Sequence, residues 1–503
     1  MRRKIKLILI LCISILGILG LSSCGKEQPK NTVFSVDDLK GKTIGVQMGT
    51  TGDVYASEYE EDGSGTKVER FHKGVDAVTS LKQGKLDCVI IDEQPAEAFV
   101  RNNEDIEILE EDFALEEYAA VISKNNPELL KQVNEALMAL FKDGTINKII
   151  HNYIPDETTG ETVPFHYEQA VMTGEPLRIA TNATFPPYEY YEGGEIVGID
   201  IDIAKAVADK LGRVVVVSDI EFDAIINAVS SGKADMGLAG FTVTDERKER
   251  ISFTEPYATS KQVIIVRNGK ANDFWGNLQK KMYDTLVKDG RWKFLLKGLG
   301  NTMLITICAL LIGCCVGFLL AMVRVAHDKN GSFKVLDLIA KIYITIIRGT
   351  PMMVQLLIIY YVIFASVDLN KVVVAIIAFG INSSAYLAEV IRSGVMSIDP
   401  GQFEAGRSLG LGFGTMMRSV ILPQALKNVL PAIGNEFISL LKETSIAGYI
   451  GLLDLTKGGD IIQSLTYEPL IPLLLVAAIY LLLVIIFTAL VNKLERRLKR
   501  NER

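Results

Sequence analysis

The chain has 503 residues and a formal net charge of -7, and it carries no basic stripe, which excludes nucleic acid as a partner. Its 49% hydrophobic content and mean hydropathy of +0.25 are high for a soluble chain, while 22% charged residues are too many for a wholly embedded one. Apolar runs crowd after residue 300 and charges before it, so an acidic soluble half precedes a membrane half.

The chain opens on the basic patch Met1-Arg2-Arg3-Lys4-Ile5-Lys6, followed by an apolar run over 7–21. That run is shorter than the ~20 residues of a spanning helix and has the build of a secretory signal. Its end, Leu21-Ser22-Ser23-Cys24-Gly25, resembles the bacterial lipobox, and the resemblance implies a signal peptide over 1–24 with Cys24 diacylated. The alternative is an uncleaved signal anchor; both versions place residue 30 onward outside the cell.

Alternating strands and amphipathic helices follow, with strands expected at 43–47, 88–91, 177–181, 214–217 and 236–238 and helices at 74–83 and 201–211. This is an α/β pattern. The six cysteines make no disulfide set: Cys12 lies in the leader, Cys24 at its end, Cys308, Cys314 and Cys315 in one apolar run, and Cys88 alone in the soluble half. The four histidines show no metal-ligand spacing, and no nucleophile motif is present. Gly41-Lys42-Thr43 imitates the end of a phosphate-binding loop, but Val36 stands where that loop needs glycine, so no nucleotide or other cofactor is expected.

Two groups of motifs carry a resemblance. Asn182-Ala183-Thr184-Phe185-Pro186-Pro187-Tyr188-Glu189-Tyr190 and Gly240-Phe241-Thr242-Val243-Thr244-Asp245-Glu246-Arg247 resemble the first lobe of the amino-acid-binding proteins that serve ABC importers. Gly45-Val46-Gln47-Met48-Gly49-Thr50-Thr51-Gly52-Asp53 and Ile91-Asp92-Glu93 resemble the second lobe. In that family the first lobe begins the chain; here lobe 2 (35–116) comes first, then the lobe 1 tail (117–155), then lobe 1 (176–269). One binding domain over 35–269 is covered without duplication, which reads as a circular permutation with one of two interlobe crossings cut. Two remnant half-domains of a former tandem pair are the alternative.

For an amino-acid ligand the resemblance implies a home for the carboxylate, one for the ammonium and a wall for the side chain. Arg247 would hold the carboxylate by two parallel hydrogen bonds, helped by Thr242 and the main-chain N–H near Gly240. Thr50 and Thr51, opening a helix, would turn N–H groups to the same carboxylate. Asp92 would pair the ammonium, and Phe185 and Phe222 would sandwich the side chain with Asn182 near its tip. Each has a plainer reading: Arg247 as part of a solvated charge run with Lys248, Glu249 and Arg250, Asp92 as a helix N-cap, and the two phenylalanines as core.

The membrane half, a permease domain over 295–495, offers five spans, at 304–325, 342–364, 372–391, 430–450 and 470–491. The basic segments 324–334 and 493–500, with Arg392, Arg407 and Arg418, place those loops and the C-terminus in the cytoplasm. Asn382, Glu389 and Glu436 lie in or beside spans, where such groups line a path or bond between helices; Gly313 and Gly317 are expected to serve packing.

Between apolar spans stands the charged, helix-prone stretch Glu404-Ala405-Gly406-Arg407-Ser408-Leu409-Gly410, then Ile421-Leu422-Pro423. It resembles the coupling loop of ABC importer permeases. Arg348-Gly349-Thr350-Pro351, Gly434-Asn435-Glu436-Phe437 and Leu440-Leu441-Lys442-Glu443-Thr444-Ser445 resemble its neighbours in the polar amino-acid branch, the glutamine- and histidine-type permeases. The resemblance implies an α/β two-lobed periplasmic-binding-protein fold of type II, apparently permuted, followed by an all-α polytopic permease of about five transmembrane helices. It also implies a non-enzymatic transport subunit importing a polar amino acid such as glutamine. A separate ATPase would be coupled through Glu404, Ala405, Gly406 and Gly410, and a second permease core, identical or different, would complete the pathway. A ligand-gated channel on the same lobes would need a Thr-Val-Gly-Tyr-Gly filter, which is absent. An enzyme on the fold would need an acid-base pair in the cleft.

Overall fold

A computed structural model describes residues 30–111, 113–155, 162–165, 167–169, 174–192, 194–270, 278–365, 367 and 369–500; the leader and Cys24 lie outside them. The chain divides into two compact bodies, one within Met1–Leu115 and Lys261–Phe274, the other within Glu116–Ser260 and Trp275–Arg503.

In the first body a six-stranded sheet runs in the order Lys67–Phe71, Thr43–Gln47, Cys88–Asp92, Ala258–Arg267, Ile106–Ile108, with Ala114–Tyr118 paired to Ala258–Arg267. Every residue of the central strand Cys88–Asp92 is buried, as an unbroken Cys-Val-Ile-Ile run requires of a strand covered on both faces. Ile44, Val46, Ile90, Ile264 and Val266 share one core with Cys88, and burial pushes the Cys88 thiol up to about 12, so it stays protonated and inert.

Ala258–Arg267 corrects the expected boundary. The sequence reading places it in lobe 1 within 176–269, yet its residues 262–265 pair antiparallel with Cys88–Asp92 and 265–267 with Ile106–Ile108. The chain therefore passes between the two sheets twice, once after Ala114–Tyr118 and once at Ala258–Arg267, and neither crossing is cut. An apolar run such as Gln-Val-Ile-Ile-Val fits any buried strand slot, so its sheet is chosen by packing and not by its own pattern.

The second body carries a sheet in the order Val214–Asp219, Pro176–Thr181, Met236–Gly237, Val121–Ile122, Ser252–Phe253, and a small antiparallel sheet of Glu195–Val197, Glu189–Glu192 and Thr184–Phe185. Residues far apart in sequence, among them Leu129, Val133 and Leu137 from one helix and Leu177, Ile179 and Met236 from strands, bury into one core.

Among the described residues, three helices are long and apolar enough to cross a membrane: Trp292–Asn330, Lys371–Met396 and Leu470–Leu498. A fourth candidate is the pair Lys334–Gly349 and Met352–Ile363, bent by 107°. The span expected to run unbroken over 342–364 breaks at Thr350-Pro351, where proline lacks the N–H the helix needs and drives Thr350 to φ -117, ψ 143. Gln355 answers the freed groups, its Nε2 donating to the carbonyls of Ile347 (2.6 Å) and Thr350 (3.0 Å) and to Thr350 Oγ1 (2.7 Å). The segment expected to span at 430–450 is divided between the helix Leu422–Glu443 and the 3-10 turn Thr444–Ile450, and is not among the candidates by length and apolarity.

The polar groups of the spans bond between helices. Asn382 donates to Gln355 Oε1 (3.1 Å), Ser383 to Glu436 (2.9 Å), and Arg324 to Glu389 (2.7 Å), which Arg392 also holds. Gly313 and Gly317 serve packing: a Cβ on Gly317 would sit 2.9 Å from the Ser384 carbonyl and 3.0 Å from the Ala388 nitrogen. Gly317→Leu is expected to cost about 1 to 3 kcal/mol by overpacking this seam, seen as a lower unfolding temperature in detergent; an unchanged temperature would show that the helices can part there.

Candidate functional site

In the second body the strand Met236–Gly237 leads through Gly240 to the short helix Asp245–Arg250. Thr244 caps that helix by accepting the Arg247 N–H (3.3 Å), which brings the Arg247 side chain back over the loop that precedes it. Arg247 is only 8% exposed, so it is no member of a solvated charge run. Its Nη1 donates to the Thr242 carbonyl (2.8 Å), and its guanidinium carbon lies 5.7 Å from the Phe222 ring centre and 5.4 Å from that of Phe241. Those rings stack at 4.7 Å. A planar cation on an aromatic pair keeps the fixed orientation that bidentate recognition of a carboxylate requires.

Around this centre the expected residues fall differently. Phe185 is half-buried beside Tyr188 (5.6 Å) and Tyr118 (6.5 Å), and a Cβ on Gly240 would come within 2.8 Å of its ring. Gly240 adopts φ +56, and its N–H, expected to help hold a carboxylate, donates instead to Asp200 (3.1 Å). The Thr242 hydroxyl donates to Glu116 (2.8 Å), with both residues buried. Asn182, expected at the ligand's tip, spends its amide inside the fold: Nδ2 donates to the Ile220 carbonyl (2.8 Å) and Oδ1 accepts from Thr184 (2.7 Å).

Glu116 and Asp200 were missed by sequence reasoning. Glu116 had no signal: a period-2 reading of Ala114–Tyr118 turns Leu115 inward, whereas the fold buries Glu116 and Tyr118 and leaves Leu115 73% exposed. Asp200 had none either, since it lies among the alternating aspartates and isoleucines that open Ile199–Lys210. Burial pushes its carboxyl up to about 6, against the downward pull of the Gly240 N–H. A folded pKa above the free value of 3.8 means that the folded state holds the proton more tightly, so this group's contribution to stability is full at low pH and is lost as pH rises toward about 6. Asp200→Asn is expected to flatten the fall of the unfolding temperature between about pH 4 and 6; the same fall in the variant would assign it to another group.

In the first body Thr50 stands at the N-cap of the helix Thr51–Glu61, but its hydroxyl donates to the Gln47 carbonyl (2.8 Å) and makes no cap bond. The helix N-terminus at Thr51 concentrates N–H groups and partial positive charge, and Gln262 Nε2 donates to Thr51 Oγ1 (3.3 Å). Gln262 comes from the strand given to the wrong lobe, so sequence reasoning had no reason to place it here. Asp92 ends the strand Cys88–Asp92 and opens the helix Glu93–Asn102, is buried, and forms no side-chain cap bond to that helix.

In the membrane half the stretch holding Glu404, Ala405 and Gly406 is the helix Pro400–Ser408, with Asp399 accepting the Gly401 N–H (2.7 Å) at its start. Phe403 and Gly406 face inward, Phe403 into a cluster with Val395, Met416 and Ile421 and Gly406 against Met416, while Glu404, Ala405, Arg407 and Ser408 are exposed. The end is a Schellman turn: Gly410, at φ +73, donates to the Arg407 carbonyl (2.9 Å) and Leu411 to that of Gly406 (3.0 Å). Among the described residues no group of His, Cys, Asp and Glu could hold a metal ion.

Two lobed sheets, a buried arginine on stacked aromatics, and apolar helices interrupted by an exposed amphipathic helix define a solute-binding region joined to a membrane permease. The family model for bacterial extracellular solute-binding proteins, family 3, matches residues 177–444. The arginine transport system permease protein ArtQ of Bacillus subtilis (strain 168) is 37% identical over 211 residues, 42% of this chain and 94% of that protein. The putative glutamine transport system permease protein GlnP of Rickettsia typhi is 37% identical over 207 residues, 41% of this chain and 93% of that protein. Among solved structures, a chain from the crystal structure of an amino acid ABC transporter with histidines is 41% identical, covering 45% of this chain and 100% of its own, with a TM-score of 0.40. The chain belongs to the amino-acid ABC-transporter permease family and carries a family 3 solute-binding region in the same polypeptide. The channel weighed above finds no counterpart among these relatives.

Proposed function

We propose that the protein captures a polar amino acid outside the cell and passes it inward through its own permease, driven by ATP hydrolysis on a separate subunit. The observation that carries this reading is Arg247, buried on the Phe222–Phe241 stack in a chain that also spans the membrane. Arg247 takes the ligand carboxylate, with Thr242 and Glu116 ordering the loop around it, and Phe185 and Phe222 wall the side chain. The helix Pro400–Ser408 offers Glu404 and Ala405 to the ATPase, two permease cores enclose the pathway, and the basic ends face the cytoplasm. Cys24 tethers the binding region to lipid. We read the binding region as a permuted single domain, a reading supported by the two passages of the chain between the sheets.

Glutamine and arginine, the substrates named for the two permease relatives, are the first ligands to try. Vesicles holding the protein with its ATPase are expected to accumulate at least one labelled amino acid only when ATP is supplied, with competition from the unlabelled compound. Ligand-evoked ion current without ATP-dependent uptake would overturn the proposal.

A further inference from the structure

The sheet of the second body, 116–260, touches the outer loops of the permease through a built ion-pair seam. Lys457, in the helix Leu455–Thr466, is 4% exposed and places Nζ 3.1 Å from Asp219 Oδ2 and 3.7 Å from Glu221 Oε1. Asp219 is itself anchored in the sheet body, accepting the Ala183 N–H (3.1 Å) and the Tyr191 hydroxyl (3.2 Å), while Asp454 fixes the other side by accepting the Lys457 N–H (3.1 Å). A Cβ on Gly451 would meet the Asp219 carbonyl at 2.2 Å, so the backbones themselves are in contact.

Contacts of other kinds flank the seam. Lys233 donates to the carbonyls of Phe364 and Val367 and lies 5.0 Å from the Tyr360 ring centre; Tyr361 packs against the cluster of Ile220 and Phe241; Tyr191 meets Phe294 edge-on at 5.7 Å. The contacts that carry most of an interface's binding energy are desolvated and well packed at its centre, and this surface has a buried charge there with aromatic packing around it. Both surfaces belong to one chain, so their effective concentration is on the order of millimolar, and even a contact of micromolar intrinsic affinity would be closed nearly all the time.

We propose that Lys457, inserted between Asp219 and Glu221, latches the sheet body 116–260 to the permease throughout the transport cycle, so that this body does not leave and return with each ligand. The inference is independent of which residues hold the ligand.

The test uses the full chain with its ATPase in vesicles, with Tyr191→Cys and Phe294→Cys introduced after Cys88, Cys308, Cys314 and Cys315 are replaced by serine. A short bifunctional thiol reagent is expected to join the pair at the same rate with and without amino acid and ATP, and the joined protein is expected to transport at the rate of the same double-cysteine protein left unjoined. Crosslinking that requires ligand, or a joined protein that binds amino acid but no longer transports it, overturns the proposal. Lys457→Met is expected to lower the crosslinking rate more than about tenfold with amino-acid binding retained, because it removes the cation seated within 4 Å of both carboxylates and leaves Lys371, which bonds the Gly451 carbonyl, as the remaining cation near Asp219. Lys457→Glu with Glu221→Lys should restore much of it. An unchanged rate in Lys457→Met removes Lys457 from the latch.

Discussion

Arg247→Ala is expected to weaken the binding of every amino-acid ligand together, by about 2 to 5 kcal/mol, or on the order of thirty- to several-thousand-fold in Kd. The guanidinium is buried on Phe222 and Phe241, and the substitution removes the bidentate donor proposed for the common α-carboxylate. Arg247→Lys should recover little, since an ammonium cannot stack on the rings or present two parallel donors. Part of any loss could arise from the Thr242 loop, which the arginine also holds, so the loop needs its own control. Thr242→Val removes the hydroxyl bonded to Glu116 and should cost less. Calorimetric titration of the full chain in detergent checks both; equal affinities for wild type and Arg247→Ala would remove Arg247 from the site.

Gly410→Asp is expected to leave amino-acid binding intact while reducing transport and ligand-stimulated ATP hydrolysis together by at least about tenfold. The residue sits at φ +73 in the Schellman turn, where a side chain costs about 1 to 2 kcal/mol, and nothing lies within 4 Å of its place. The substitution therefore disturbs the end of the helix Pro400–Ser408 and adds a charge to its exposed side without touching a core. Gly406→Leu is a harsher companion, because its Cβ would press on Met416 at 2.7 Å and lift the whole helix. Transport at the wild-type rate in Gly410→Asp vesicles would refute a coupling role for this helix.

Much of this was open to reading in the sequence because it depends on short-range grammar. The helix over Pro400–Ser408 follows from an aspartate cap, a proline in the first turn and a glycine after the end, all within a dozen residues. The strand over Cys88–Asp92 follows from a short β-rich apolar run, and the three long apolar helices from length and hydropathy. The turn that carries Arg247 was legible because the threonine that caps its helix and the carbonyl its side chain binds lie five residues or fewer away.

What failed lies at long range or at a competition between local rules. The break at Thr350-Pro351 sat inside a run apolar enough to read as one span, and the proline overrode the hydropathy. Asn182 looked available until the fold placed the Ile220 carbonyl 38 positions on within reach of its amide. Gly240 looked like an open donor until Asp200, 40 positions away, was packed beneath it.

By itself, then, the sequence determined the kinds of element, the two-compartment plan and the helix over Pro400–Ser408, since backbone conformation, capping and hydropathy are set by neighbouring residues. Only the tertiary structure decided which sheet receives Ala258–Arg267, that Glu116 meets Thr242 across 126 positions, and that Lys457 meets Asp219 and Glu221. Those pairings join chemically unexceptional residues whose partners are chosen by the packing of whole elements, and a buried charge or hydroxyl takes the partner that packing brings within reach.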